Sequence, residues 1–595
     1  MTFSAIKLSL FSFDISMELE VCHAKSFDID GSCEVWTRLK PHGHKATRGE
    51  WPSDPGKIRP VAYGGSTITQ THDYYEHHND LLATITEKIA QLSNLHEPVP
   101  ANLGEAKSSP NWHLWRDAIN AELTAQSEND TFSLALSPCS LQVTGKLDWE
   151  FSIEDDGEYR AKLTAKSKIE FDGAEYELTS RVKPELNSLR LFMAMSAQNN
   201  LQVHHMKINS AYFYAKFPLV AYFETPPGLM VQGTLQLHKS IHGFLRAPDM
   251  RDKMIAKALR THGLSKVLCN NLFYRGANLN LIIIAVIADD LLIASRDKDK
   301  LNAVKSKLVS QYKMRDLALA KKVAGINIYQ RDGFIKLHLN DYIDSLLKDY
   351  SMEGCMPHRI PAGDLNLNVS ASDNEESCDL DAYRSLIGKL IYASMTVRMD
   401  IDHIVRELIR YLADPKQKHM IAARNVVRYL KGTKLDGLIY LPRVSDTCLQ
   451  GYATSILGQR KEDSFLGYVM TYSGTPIFWR TRFGKSGPGL HAEALRLLII
   501  QGQRTLEALI EIGFIMNLKI YSNNRQAVMS ERKALLKFQP RNLKSAGKRA
   551  YEQREANSDD GISVHEHLDP QPALLLTKYL PYDDHRRCCS MLNLA

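Results

Sequence analysis

At 595 residues, the chain is long enough for three or four domains of ordinary size. Its 44% hydrophobic and 24% charged residues are typical of a folded globular protein, and its net charge of +6 permits a polyanionic partner without demanding one. Nine cysteines without a CxxC pair argue against a structural zinc site and favour a reducing compartment.

The chain also lacks the sequence features of a membrane or exported protein. Its longest apolar run, residues 281–288, is far shorter than the roughly 20 residues of a membrane helix. No clear small-residue cleavage site follows the apolar N-terminus, which argues against a signal peptide. We therefore predict an intracellular protein without membrane contact, in the cytoplasm or nucleus, whose oligomeric state stays open.

The first 95 residues are predicted to be irregular and partly disordered, with one helix. Residues 38–60 are rich in Pro, Gly and charge, as loops are. Apolar residues at helical spacing within 73–95 predict the helix. A linker is expected at 96–110, and a second amphipathic helix is predicted over 110–128, with one apolar stripe formed by Trp112, Trp115, Ile119 and Leu123.

Strand-like and helical segments alternate from about 140 to 340, and one of them ends in two adjacent acids. Residues 279–295 read LNLIIIAVIADDLLIAS, so that aliphatic runs flank Asp289 and Asp290 on both sides. The dipeptide alone fits an ordinary surface turn, because Asp is a common turn residue. A buried pair of like charges, however, is costly unless a cation neutralises it, as magnesium does in phosphoryl-transfer sites.

The last third of the chain is predicted to contain a helical part and then a mixed part. Helices are expected from the stretch DAYRSLIGKLIYASM, which begins at Asp381, to residue 434. Strands follow at FLGYVMTYS, PIFWRT and LKIYS, with a long helix between the second and third. Residues 583–595 are predicted to be a disordered tail.

More than ten motifs, in order, resemble the reverse transcriptase–RNase H region of a copia-type LTR retrotransposon Pol polyprotein. The resemblance runs from about residue 95 to 582. Its carriers are SPNWHLWRDAINAEL, DGEYRAKLTAKSKIEFDGAEYE, HHMKINSAYFYA, FETPPGL, LHKSIHGFLRAP, VIADDLLIAS, MRDLALAKKVAGINI, YRSLIGKLIYAS, VVRYLKGTK, GYVMTYSGTPIFWRTR and LTKYLP.

The resemblance implies an α+β fold, namely a right-hand polymerase followed by an RNase H-like α/β domain. Fingers and palm are then expected at 96–350, a helical thumb and connection at 351–440, and a degenerate RNase H-like domain at 445–582. The implied partner is an RNA or DNA template-primer, and the implied cofactor is Mg²⁺. No protease, zinc-knuckle or integrase motif is present, so the chain resembles one part of such a polyprotein.

The same resemblance implies a catalytic site with one substitution. Three palm aspartates hold two magnesium ions in such polymerases; Asp289 and Asp290 match two of them, and Lys207 stands at the third position. Arg160, Lys162 and Lys166 match the fingers residues that meet the incoming nucleotide, although a solvated strand face would also explain them. We therefore expect a reverse transcriptase whose polymerase activity is defective; the alternatives are a non-catalytic nucleic-acid-binding remnant and a still-active polymerase.

The resemblance also implies an inactive RNase H site. Of its acids Glu493 is kept, Asn523 replaces an aspartate, Thr454 or Ser455 stands near the first aspartate position, and Leu574 stands at the last. Histidines in HHMK and VHEHLDP are expected to be surface residues, since they lack metal-ligand spacing. Basic helix faces at Arg428, Lys431 and Lys434 and in the stretch RNLKSAGKRAYEQR suit a nucleic-acid backbone, or are merely solvated.

Overall fold

A computed structural model divides the chain into two compact units, residues 1–97 and 98–595. It describes three strands of the first unit. It describes 99–594 of the second apart from 135–144, 154–156, 167–181, 209–221, 229–232, 243–246, 268–270, 278–279, 362–375, 443–447, 458–463, 485–488, 515, 536–561 and 568–570.

The first unit contains an antiparallel three-stranded sheet of β1 (Ala5–Ser9), β2 (Met17–Cys22) and β3 (Trp36–Pro41). The prediction of an irregular segment is therefore wrong for these residues. Apolar and acidic residues alternate along Met17–Cys22, which is the period of a strand. The helix predicted within 73–95 lies outside the described residues.

The second unit has twelve described α-helices and twenty described strands. The helices are α1 (Leu103–Ser108), α2 (Trp112–Glu128), α3 (Val182–Gln198), α4 (Ala247–Thr261), α5 (Lys298–Gln311), α6 (Asn340–Asp349), α7 (Leu380–Thr396), α8 (Asp402–Ile409), α9 (Gln417–Gly432), α10 (Leu490–Ile512), α11 (Arg525–Leu535) and α12 (Tyr582–Met591). The strands are β4 (Phe132–Leu134), β5 (Gly145–Ile153), β6 (Tyr159–Lys166), β7 (Gln202–Ile208), β8 (Tyr222–Glu224), β9 (Thr234–Leu237), β10 (Ser265–Lys266), β11 (Leu272–Arg275), β12 (Ile282–Ile287), β13 (Asp290–Ser295), β14 (Met314–Leu319), β15 (Lys322–Val323), β16 (Ile326–Arg331), β17 (Phe334–His338), β18 (Gly437–Tyr440), β19 (Cys448–Ile456), β20 (Phe465–Tyr472), β21 (Thr475–Phe483), β22 (Asn517–Ser522) and β23 (Ile562–Glu566).

The helix predicted over 110–128 is confirmed as α2, and it packs on a five-stranded sheet of order β4-β9-β8-β5-β6. Trp115 is fully buried, with edge contacts to Phe151 and Tyr159 at centroid distances of 5.3 and 4.5 Å. The stripe therefore forms a small separate core. The expected linker before it contains α1, which Asn102 caps by accepting from the Glu105 amide.

The strands around the paired acids belong to a six-stranded sheet of order β10-β11-β12-β13-β7-β14. One face contributes Ile283, Ala285 and Leu292 to the largest core, together with α3. The other face contributes Ile284 and Leu291 to a second core, with α4 and α5. Burial on both faces explains why β12 is an uninterrupted aliphatic run.

The helical part predicted up to residue 434 is confirmed as α7, α8 and α9. Its centre is the fully buried ion pair between Arg398 and Asp400, whose shortest N–O distance is 2.7 Å. Tyr429 donates to the same carboxylate at 2.6 Å. A four-stranded sheet of order β15-β16-β17-β18 packs beside these helices.

The C-terminal sheet has the order β21-β20-β19-β22-β23, in which β19 and β23 both run parallel to β22. The three predicted strands and the long helix α10 are all present in the predicted order. Arg190 of α3 links the parts of this unit: it donates to the carbonyls of Thr396 and Ile477 at 2.9 and 3.2 Å and lies 3.8 Å over the Trp479 ring.

The prediction of a disordered tail from residue 583 is wrong. These residues form most of α12, whose buried side carries His585, Cys588 and Cys589. The chain then returns to β18, where the Ile439 amide donates to the Asn593 carbonyl at 3.0 Å. None of the described helices is long and apolar enough to cross a membrane.

Candidate functional site

Asp289 and Asp290 lie on a tight hairpin between β12 and β13. Ile287 pairs with Asp290, so only Ala288 and Asp289 form the turn. Ala288 has a φ of +53°, a left-handed conformation that is uncommon for a residue with a side chain and typical of primed hairpin turns. The Ile208 amide donates to the Asp289 carbonyl at 2.9 Å, which ties the tip of the hairpin to β7.

Lys207 lies directly across the ladder from Asp290, as expected from the order of motifs. Strand β7 pairs antiparallel with β13, with Lys207 opposite Asp290. On its other side, Lys207 is opposite Arg315 of β14. Directly opposed residues lie on the same face, with Cα atoms about 4.5–5.5 Å apart. The row across the sheet is therefore one acid followed by two bases.

The Asp290 carboxylate is in contact with His205. The distance from His205 Nε2 to Asp290 Oδ1 is 2.7 Å, and the two side chains are 8% and 18% exposed. The prediction that this histidine lies on the surface is wrong. His205 precedes Lys207 by two residues on a strand, which places both side chains on the same face; that period is the sequence feature that could have identified it.

The Asp289 carboxylate is in contact with Arg251 of α4, a residue absent from the predicted site. Arg251 is 3% exposed and donates to Asp289 at 3.3 Å and to the neighbouring Asp252 at 2.9 Å. Burial raises the pKa of Asp289, and the adjacent Asp290 raises it further, while Arg251 and Lys162 act in the opposite direction. No sequence pattern that we considered placed Arg251 here, because α4 meets the hairpin only in the tertiary fold.

The three predicted nucleotide-binding residues lie at alternate positions on β6 and so share one face. Arg160 pairs with Glu158 at 2.8 Å, and Glu158 also accepts from Arg315 at 2.5 Å. Lys162 is close enough to the hairpin to influence the pKa of Asp289. Lys166 pairs with Lys146 in the ladder, and its side chain lies outside the described part of the molecule.

A second set of interactions involves His242, which lies beside β6. Burial, together with Lys162 and Arg251, lowers the pKa of His242 to about 4, so the imidazole is neutral near pH 7. The His242 carbonyl accepts from the Ala165 amide at 2.9 Å. Arg251 therefore contacts the Asp289 carboxylate, and Lys162 is near enough to lower its pKa.

The residues around the hairpin do not fit two magnesium ions. Magnesium prefers oxygen ligands in octahedral geometry. Here His205 and Arg251 are on the two carboxylates, and Lys207 is opposite Asp290. Across all the residues that the structure describes, no group of three or more His, Cys, Asp or Glu side chains could hold a metal ion.

The structure brings together two positions of the predicted second site, at the ends of β19 and β22. Thr454 donates to the Asn523 side-chain oxygen at 3.2 Å. Leu574 is buried in a 3₁₀ helix at Pro572–Leu576. Glu493 is exposed in the first turn of α10 and acts on the pKa of Tyr468 in β20. Neither Thr454 nor Asn523 is a carboxylate, so their contact is an ordinary neutral hydrogen bond.

The basic face of α9 is used for internal contacts. Arg428 donates to the Met356 carbonyl at 2.7 Å, Lys431 to the Cys355 carbonyl at 2.7 Å, and Lys434 pairs with Asp344. These three side chains therefore contact other parts of the chain, and both explanations of the basic stretch stay predictions. The stretch RNLKSAGKRAYEQR lies outside the described residues.

Residues 129–364 match the model of a family described as reverse transcriptase (RNA-dependent DNA polymerase). The retrovirus-related Pol polyprotein from transposon TNT 1-94 of Nicotiana tabacum is 25% identical over 521 residues, covering 83% of this chain and 39% of that polyprotein. The Pol polyprotein from transposon RE1 of Arabidopsis thaliana is 25% identical over 380 residues, covering 62% of this chain and 26% of that polyprotein. The chain thus spans well under half the length of these two relatives.

A transposon Ty5-1 protein of Saccharomyces cerevisiae is 28% identical over 285 residues, covering 47% of this chain and 92% of that protein. Among solved structures, a foamy viral protease-reverse transcriptase in complex with double-stranded DNA superposes with a TM-score of 0.39 and 13% sequence identity. The superposition covers 76% of this chain and 70% of the viral chain. This superposition is too weak to define a common fold. The sequence relatives confirm the resemblance to the reverse transcriptase region of copia-type retrotransposon Pol polyproteins.

Proposed function

We propose that this chain, a relative of copia-type Pol polyproteins, is a reverse transcriptase region whose polymerase centre no longer holds the two metal ions of its reaction. The observation that carries the proposal is the ladder position of Lys207, directly opposite Asp290. The hairpin and the adjacent strand keep the arrangement expected from the motifs, while the charge at the third position is reversed.

Magnitudes favour a loss of metal binding. Two unit charges about 4 Å apart interact by roughly 4 kcal/mol at an effective dielectric near 20, and a divalent ion doubles that figure. Replacing a carboxylate with an ammonium group changes the local charge by two units. Each 1.36 kcal/mol of lost transition-state stabilisation slows a reaction about tenfold, so the loss of about 4 kcal/mol alone would slow turnover roughly a thousandfold.

The contacts of the two acids act in the same direction. Arg251 and His205 each contact one carboxylate oxygen, Oδ1 of Asp289 and Oδ1 of Asp290 respectively, that would otherwise be available as a ligand. Burial raises the pKa of Asp289, which further disfavours the ionised form that a metal requires. Side chains of the protein itself thus contact both carboxylates.

Weak, non-specific binding of nucleic acid is the second function that an observation favours. Lys162 lies on the face of β6 that borders the hairpin, and both Arg160 and Lys166 share that face. Contacts of this kind with phosphates depend on charge and carry no sequence preference.

For the C-terminal part, we infer a degenerate RNase H-like domain without nuclease activity. Its support is the mixed sheet with α10 and α11, in the order expected from the motifs. Asn523 and Leu574 stand at two of the expected acid positions and Thr454 or Ser455 stands near another, which leaves Glu493 as the one acid kept among them. A single carboxylate is too few for a two-metal hydrolytic site.

Primer extension on the purified chain tests the polymerase proposal. A primed RNA template, deoxynucleotides and Mg²⁺ are incubated with the unmodified chain and with a matched Asp289→Asn/Asp290→Asn variant. We expect no extension by either protein. If the unmodified chain extends the primer and the double variant does not, the charge argument is wrong and the chain is an active polymerase.

A further inference from the structure

A cavity of about 310 Å³ lies at the end of the six-stranded sheet that is opposite to the paired acids. Strand β13 begins at Asp290 and ends at Ser295, which lines this cavity. Five residues of strand span about 17 Å. We call this cavity the distal cavity; it is separate from the candidate site described above.

Three chain turns meet to form the distal cavity. They are the α3–β7 turn at Asn200, the β13–α5 turn at Arg296 and the β16–β17 turn at Asp332 and Gly333. Asn200, Asp332 and Gly333 have φ values of +51°, +50° and +82°, so three lining residues hold left-handed conformations.

Close packing between these turns makes the cavity a built feature of the fold. A Cβ on Gly333 would lie 3.1 Å from the Asn200 side-chain oxygen and 3.0 Å from Pro442 Cβ. The left-handed φ of Gly333 also disfavours any other residue there. Arg331 pairs with Phe334, so Asp332 and Gly333 are the two central residues of a primed hairpin turn, which requires these conformations.

The charged side chains around the distal cavity are mostly cationic. Arg296, Lys298 and Arg331 line it, and Asp332 is the single acid among the lining residues. Arg296 donates to the Asn199 carbonyl at 2.6 Å, which uses one of its five N–H donors. Within the described part of the chain, Lys298 makes no ion pair.

The pairing of Arg331 leaves it available to a ligand. Its Nε lies 3.4 Å from the Asp332 carboxylate, and the two side chains are 76% and 90% exposed. An ion pair exposed to this extent contributes little free energy and exchanges readily with another anion. Three cationic side chains from two different turns therefore line the cavity.

The remaining lining suits the rest of a small organic anion. Phe334 and the exposed Leu319 supply apolar surface, and Gln202 supplies an exposed amide. A volume of about 310 Å³ is at the lower end of the range of small-molecule sites. A concave site between turns also fits a compact ligand better than it fits an extended backbone, which contacts cations in a row along a surface.

We propose that the distal cavity binds a small phosphorylated anion of nucleoside-phosphate size, held by Arg296, Lys298 and Arg331. This proposal does not depend on the proposed function of the hairpin. A failed primer-extension assay leaves it intact, and a failed binding assay here leaves the polymerase proposal intact.

The test is calorimetric titration of ATP, pyrophosphate and a short single-stranded oligonucleotide into the full chain, in EDTA to exclude metal-dependent binding. The test variant is Arg296→Ala/Lys298→Ala. The matched control is Arg260→Ala/Lys307→Ala, which removes one Arg and one Lys that do not line the cavity. A third variant, Lys162→Gln, reports on binding near the hairpin.

We expect ATP to bind the unmodified chain and the control equally. One contact between unit charges about 4 Å apart in water corresponds to roughly fivefold in affinity, so the test variant should bind about 25-fold more weakly. The single variant Arg331→Ala should lose roughly fivefold. All four side chains replaced by alanine in the two double variants are exposed, so we expect both variants to fold normally. Far-UV circular dichroism spectra equal to that of the unmodified chain would show this.

Four outcomes overturn the proposal. The first is that neither ATP nor pyrophosphate binds. The second is that the test variant and the control bind ATP with equal affinity. The third is that Lys162→Gln loses ATP binding while the test variant keeps it. Binding of the oligonucleotide alone, with loss in the test variant, would also overturn it, because the cavity would then hold a nucleic-acid backbone.

Discussion

Replacing Lys207 with aspartate should create a metal site at the hairpin. Lys207 is directly opposite Asp290, and its neighbour on the other side is Arg315. The variant Lys207→Asp turns a row of one acid and two bases into two acids and one base. It leaves the two apolar cores unchanged, because neither contains this side chain.

The size of the effect follows from the charge change. A change of two units at about 5 Å from a divalent ion is worth roughly 3 kcal/mol even at the dielectric constant of water. That corresponds to more than a hundredfold in the dissociation constant. His205 and Arg251 still contact the acids in the variant, so we expect one ion to bind and turnover to stay low.

Calorimetric titration with Mg²⁺ and Mn²⁺ measures this change. The unmodified chain should show no tight binding, and Lys207→Asp should show a single site. The matched control is Lys519→Asp, which makes the same charge change at an exposed position in the C-terminal sheet. Tight metal binding by the unmodified chain, or equal affinities in Lys207→Asp and Lys519→Asp, would refute the electrostatic reasoning.

Three further predictions concern nucleic acid, hydrolysis and stability. Binding of nucleic acid should weaken steeply between 50 and 200 mM salt, as measured by fluorescence anisotropy, and an affinity that stays constant would exclude phosphate contacts. The full chain should not cleave an RNA–DNA hybrid in Mg²⁺, because Asn523 and Leu574 stand at acid positions; cleavage that Glu493→Gln abolishes would contradict this. Asp400→Asn should lower the free energy of unfolding by about 3–5 kcal/mol in urea titrations, since it leaves Arg398 buried without its counter-charge. Burial alone would raise the pKa of Asp400, yet Arg398 holds this pKa below the ordinary value. The stabilisation by the ion pair is therefore full at neutral pH and is lost as the pH falls through the pKa of Asp400 in the folded state. An unfolding free energy that does not change below about pH 4 would contradict the assignment.

The local pattern of the chain was sufficient to predict the helices and strands that carry the hairpin. The apolar run before Asp289, the turn and the apolar run after it indicated two buried strands, because two-sided burial needs uninterrupted aliphatic residues. The order of motifs then predicted Lys207 on the adjacent strand, where the structure places it. The stripe that includes Trp115 predicted α2 for the same reason, since one face of a helix repeats every three to four residues.

Two local predictions were wrong because the pattern was weaker than its tertiary context. The last helix has few apolar residues, and it is ordered because His585, Cys588 and Cys589 pack into the main core and the chain end pairs with β18. The strand at Met17–Cys22 was not predicted, because the charged residues 38–60 that follow it, rich in Pro and Gly, indicated an irregular segment.

The partners of the two acids were decided by the tertiary structure. His205 reaches Asp290 because β7 pairs with β13 in one particular register, and a shift of one residue would turn its side chain to the other face. Arg251 reaches Asp289 because α4 packs on the far side of the sheet, 38 residues earlier in the chain. Contacts between residues so distant in sequence leave no local periodicity, so the sequence alone determined which charges the site would contain, and only the packing of α4 and the register of β7 determined which of them meet.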